Sequence, residues 1–116
     1  MVVISKRNAE HYNWGERCDG WHLVKSEKLS VIQERVPSGC GETRHYHVYA
    51  EQFFFVLSGV ASIEMSGKMY QLKSHQGLHV KAGINHQVSN KEEADLVFTV
   101  TSTPPSHGDR VENHRS

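Results

Sequence analysis

Residues 39–59 read Gly39-Cys-Gly-Glu-Thr-Arg-His45-Tyr-His47-Val-Tyr-Ala-Glu-Gln52-Phe-Phe-Phe-Val-Leu-Ser-Gly59. Side chains of a strand alternate between its faces, so His45 and His47 project from one side and Tyr46 from the other. Same-face neighbours lie ~6–7 Å apart, close enough for two imidazoles to lean toward one ion at ~2.1 Å each. Gln52–Leu57 then runs aromatic and β-branched and stops at Ser58-Gly59, which predicts a second strand closed by a turn.

The β texture continues on both sides of this stretch. Upstream, Leu29–Val36 is a short apolar and polar run that ends at the turn cluster Pro37-Ser-Gly39. Downstream, Val60–Met65 and Lys68–Leu72 flank Ser66-Gly67 and predict a hairpin with a two-residue loop. Gly77–Val80 is a short strand, Ala82–Asn85 a turn, His86–Ser89 strand again, and Ala94–Thr101 the last long apolar strand. Strands of four to eight residues thus recur every eight to twelve positions, with no helical period. That spacing predicts an all-β sandwich or barrel with antiparallel pairing. Residues 1–28 read as a turn-rich N-terminal extension whose tryptophans cover one end of the domain. Residues 29–103 form the barrel, and 104–116 a loosely held C-terminal tail.

A chain of 116 residues is one domain with room for a core. Thirteen basic residues balance thirteen acidic ones, so no global field exists to hold nucleic acid. No apolar run approaches the ~18 residues a membrane helix needs, and Met1–Lys6 is too short for a signal peptide. A soluble, cytoplasmic protein is expected. Cys18 and Cys40 lack CxxC spacing and are expected to be reduced thiols. The compositional excess is histidine, nine residues of it.

A third histidine, His86, follows a turn that contains Gly83. Three neutral nitrogen donors with open positions describe a catalytic type of metal site. Gly39-(five residues)-His45-x-His47-(four residues)-Gln52-(six residues)-Gly59 resembles the first cupin motif. Gly83-Ile-Asn-His86-Gln-Val-Ser-Asn90 resembles the second half of the second motif. The resemblance implies a cupin-type jelly roll, a double-stranded β-helix. It also implies a divalent transition metal (zinc, iron, nickel, manganese or copper) on His45, His47, Gln52 and His86. Cupins carry glutamate where Gln52 stands; Glu51 is the competing register, and strand alternation leaves both open because Phe53–Leu57 is apolar on either face. The second motif's opening glycine is His75 and its proline Lys81, and Asn90 is expected to tie down a turn. A neutral amide in place of a carboxylate predicts weaker binding of a more electrophilic ion, suited to an enolate or carboxylate ligand.

The remaining residues read more plainly. One face of Phe53-Phe54-Phe55 is expected to line the interior and the other to pack under the second sheet; Phe54 and Val56 share Gln52's parity and would make the cavity apolar. Arg44 and Tyr46 point away from the histidine face. His75 and His79 read as surface or packing residues. His11, His22, His107 and His114 carry no spacing argument, and Ser106-His107-Gly108-Asp109 is not a triad because a tail offers no scaffold. Two functions fit the whole. One is a metal-dependent enzyme of the dioxygenase, isomerase, cyclase or lyase type on a small organic molecule in the barrel. The other is a non-enzymatic module with a bound ligand or a structural metal. An open position facing a reachable cavity favours the first. No catalytic residue is assigned, Glu51 being the sole acid–base candidate; a homodimer is expected.

Overall fold

The structure, a computed structural model, describes residues 2–106 and 108–112, so the expectations for His107 and His114 lie outside the described residues. The strands predicted from the apolar runs are present as β3 (Ser30–Val36), β4 (His45–His47), β5 (Glu51–Ser58), β6 (Ala61–Met65), β7 (Lys68–Leu72), β8 (Gly77–Val80), β9 (His86–Ser89) and β10 (Leu96–Thr103). Three more, β1 (Glu10–Trp14), β2 (Cys18–Lys25) and β11 (Arg110–Glu112), lie in stretches that read as turns and tail. Among the described residues all strand pairing is antiparallel. A six-stranded sheet runs β1-β2-β3-β10-β5-β8 and a five-stranded sheet β11-β4-β9-β6-β7. Among the described residues no helix is long and apolar enough to cross a membrane.

The core lies between the two sheets. Val36, Phe54, Val56, Leu96 and Phe98 of one sheet meet Ala61, Ile63, Leu72 and Val88 of the other. β10 is the organising strand, paired with β3 on one side and β5 on the other, and it buries every second side chain from Leu96 to Ser102. Each fully buried Val, Leu, Ile or Phe contributes ~1.5–3 kcal/mol, which is why this alternation fixes the register. The hairpin between β6 and β7 closes as the two-residue loop predicts: Ser66 (φ 51) and Gly67 (φ 85) both adopt the left-handed conformation that a type I′ turn requires.

Three stretches differ in detail from what their sequence suggests. The N-terminal stretch is a hairpin on the sheet edge, with Tyr12 and Trp14 facing inward and His11 against Trp21 on the other face. The tail returns to the barrel, where Arg110–Glu112 pairs with His45–His47. Phe53 is also misplaced by the sequence reading. Only one face of each sheet is covered in a two-layer sandwich, so Phe54 is buried while Phe53 is 43% exposed and stacks on Phe55 outside. Cys18 and Cys40 are buried free thiols in the core, and Cys40 stands apart from the histidines.

Asn90 does tie down a turn. Its Nδ2 donates to the carbonyls of Val36 (2.9 Å) and Ala94 (2.8 Å), and its Oδ1 accepts from Glu92 N–H (2.9 Å). Replacing it with alanine orphans three backbone groups, so Asn90→Ala should cost ~2–4 kcal/mol in a urea titration. Gly59 (φ 82) sits so close to Asp95 that a Cβ would lie 2.5 Å from its carbonyl oxygen. Gly59→Ala combines left-handed strain with that clash and should cost ~3 kcal/mol or more in the same measurement.

Candidate metal centre

β4 and β9 are neighbours, and their register sets His45 directly opposite His86. His47, two residues on, shares His45's inward face. All three are buried, with 3%, 6% and 1% of His45, His47 and His86 exposed. Ring centroids lie 4.9 Å (His45–His47), 4.5 Å (His45–His86) and 5.9 Å (His47–His86) apart. One nitrogen from each falls within 4.8 Å of the others, a spacing that one ion can bridge.

The tautomers follow from the partners. His45 Nδ1 lies 2.7 Å from the Thr43 carbonyl, His86 Nδ1 2.9 Å from the Ile84 carbonyl, and His47 Nδ1 2.8 Å from Asp109 Oδ1. Each of those oxygens accepts, so each Nδ1 carries the proton and each Nε2 keeps its lone pair. His86 Nε2 is buried with no hydrogen-bond partner, and so is Gln52 Oε1. Gln52 reaches that state because its Nε2 donates to Ser102 Oγ at 2.9 Å. Buried acceptors without donors are costly, and an unpartnered Nε2 within a cluster of three histidines fits a cation. Burial pushes His45 down to about 3, with repulsion from His86, Arg110 and His47 adding, and burial likewise lowers His86 and His47. The donors are therefore neutral and ready to ligate at neutral pH.

A family model for the cupin domain matches residues 32–102. The chain belongs to the cupin family. Polyketide synthase CurC of Streptomyces cyaneus is 32% identical over 65 residues, 54% of this chain and 42% of CurC. The matched stretch thus spans less than half of that relative's length. Two solved structures are alike in fold. Polyketide cyclase RemF from Streptomyces resistomycificus has a TM-score of 0.85 at 12% identity, over 100% of this chain and 87% of its own. An uncharacterized double-stranded β-helix protein from Klebsiella pneumoniae has a TM-score of 0.82 at 16% identity, over 99% of each chain.

In this cupin, Gln52 is 7% exposed and lines the cavity beside His45 and His47, whereas Glu51 points out and meets His79 Nε2 at 2.8 Å. Glu51 is therefore neither near the histidines nor an acid–base group of the cavity. His75 takes up the left-handed conformation (φ 65) at the position where cupins have glycine, and it stacks on Phe55 outside the barrel. Arg44 turns outward to Glu64, with Nε 2.6 Å from Oε1. His45 and His47 open into a cavity of about 270 Å³ whose apolar wall includes Trp14, Ile32, Phe54 and Val100.

Three charged residues of this site, Glu34, Glu42 and Arg110, are given no role by the sequence, and Asp109 enters there only within a rejected triad. Glu34 had a readable signal, since it shares a strand face with Ile32 and Val36, where a carboxylate is out of place. Burial pushes its carboxyl up to about 8, with repulsion from Glu42 adding, against the Tyr12 hydroxyl and Arg110. Glu42 is raised to about 7, again chiefly by burial, while it accepts from Val88 N–H at 3.2 Å. Asp109 stays below the usual carboxylate range: burial opposes this, but hydrogen bonds from Ala50, Tyr49 and His47 prevail.

Glu34's elevation has a sign that can be measured. Its folded value lies above its ordinary 4.5, so folding retains a proton that the unfolded chain loses as pH rises between 4.5 and about 8. Its contribution to stability is complete below that window and lost across it. His45, depressed from 6.5 to about 3, acts in the opposite sense only below 6.5. Thermal melts of chelator-treated protein between pH 6.5 and 8 should therefore fall with pH, and Glu34→Gln should flatten that slope.

Proposed function

We propose that this cupin holds a divalent transition metal on His45, His47 and His86, with the Gln52 amide oxygen beside them, and acts as an enzyme on a small organic molecule. The observation that carries the reading is the cluster of three buried histidines, one nitrogen of each within 4.8 Å of the others, two of which line a cavity that also takes in the side chain of Glu34. A metal bound there supplies Lewis-acid polarisation to an oxygen of the substrate.

The chain's own residues supply the rest. Trp14, Ile32, Phe54 and Val100 bury the apolar body of the ligand and exclude water. Glu34, raised to about 8, stands between acid and base near neutral pH, where a proton-transfer group is most effective. The Tyr12 hydroxyl, 3.5 Å from Glu34 Oε2, keeps that carboxyl facing the cavity. Arg110, on the cavity wall, offers a cation to an enolate or carboxylate. Proton transfer at a carbon next to a carbonyl is the chemistry these groups support best, which favours cyclase or isomerase work. The relative named as a polyketide synthase supports the same choice, because polyketides are rich in enolisable carbonyls.

Elemental analysis of untagged protein purified without chelator should find about one transition-metal ion per chain, and His86→Ala should remove it. Gln52→Glu should tighten zinc binding, since a carboxylate cancels charge that an amide leaves. Metal-loaded protein should exchange the α-protons of a β-keto amide for solvent deuterium, followed by NMR. Glu34→Gln should keep the metal and lose ~10²–10⁴-fold of that exchange. Wild-type protein that neither carries nor takes up an ion would sink the reading.

A further inference from the structure

Asp109 lies in the stretch read as tail, yet its carboxylate makes three hydrogen bonds to β4 and the loop that follows. Oδ1 accepts from His47 Nδ1 at 2.8 Å, and Oδ2 accepts from the backbone N–H of Tyr49 (3.0 Å) and Ala50 (2.9 Å). Its own carbonyl accepts from Val48 N–H at 3.1 Å. His45 and His86 are held differently: each bonds a carbonyl two residues away in its own strand segment, so those contacts form locally. Only His47 depends on an acceptor 62 residues distant, delivered by β11 pairing with β4.

We propose that Asp109 is the positioning residue for His47, so that docking of the C-terminal segment 108–112 and metal binding at the three histidines reinforce each other. The inference rests on the metal reading above. Without the Asp109 acceptor, an imidazole in solution favours the proton on Nε2, the nitrogen needed for ligation. Docked Asp109 removes that competition, and by linkage a bound ion must strengthen the docking by the same factor. The carboxylate is specifically required. An amide has one acceptor oxygen, and turning it to His47 sets its NH2 against the N–H groups of Tyr49 and Ala50.

The test uses the full chain, with zinc as the probe, in competition against a chromophoric chelator. Asp109→Asn, close in size, and Asp109→Ala should both weaken zinc binding ~10–100-fold. In metal-free protein, the ring nitrogens of His47 give the tautomer directly by long-range ¹H–¹⁵N correlation. Wild type should show the proton on Nδ1, and both variants should show it on Nε2, a change that mere loosening of the tail would not impose on a buried ring. Trypsin cleavage after Arg110 should slow on adding zinc to wild type, and less so in Asp109→Asn. Zinc affinity and His47 tautomer both unchanged in Asp109→Asn would overturn the inference. A wild type that binds no zinc but shows the Nδ1 proton lost in both variants would defeat the metal reading while leaving Asp109's hold on His47 standing.

Discussion

Three imidazoles can share one buried corner because each has an acceptor for its Nδ1 proton. Burial and mutual repulsion keep the rings neutral, and a neutral imidazole has one donor and one lone pair to place. The carbonyls of Thr43 and Ile84 and the carboxylate of Asp109 take the donors. The lone pairs have nowhere to go but inward, where the β4–β9 register brings them together. Everything else about the site elaborates that constraint, from the orphaned oxygen of Gln52 to the clasp of β11 on β4.

Charge in the cavity is handled by neutralisation more than by pairing. Two carboxyls, Glu34 and Glu42, face the same space and are both raised by burial toward neutral pH, with Arg110 moderating each. The Gln52 amide adds no charge where cupins usually add one. A divalent ion would therefore enter a site with almost no compensating anion among its donors, and its field would reach the ligand. An anionic or enolisable ligand is the natural complement to such a surplus, and the apolar wall keeps water from screening it.

Much of the architecture was legible along the chain. The alternation of β10, the turn at Ser66-Gly67 and the histidine spacing of β4 each predict their element, because strand periodicity and left-handed turns are local properties. That Gln52 faces the cavity while Glu51 faces out is visible only in the fold, since both faces of Phe53–Leu57 are apolar and parity carries no information there. β1 and β2 were hidden by glycine: Gly20 resembles a turn residue, yet it is small because the Tyr12 ring lies across it, where a Cβ would come within 2.3 Å. Glu34 was visible in principle, as a charge on an apolar face. Asp109 was not, because nothing in residues 104–112 says that the chain turns back onto β4.

The sequence alone determined the all-β class, the family and the three histidines, since each rests on short-range spacing that the strand geometry translates into a shared face. The tertiary structure decided which nitrogen of each histidine meets an acceptor, which carboxyls stand in the cavity and which distant segment reaches His47. These depend on partners up to 62 residues away, and on burial, which is a property of the assembled sheets and of no single segment.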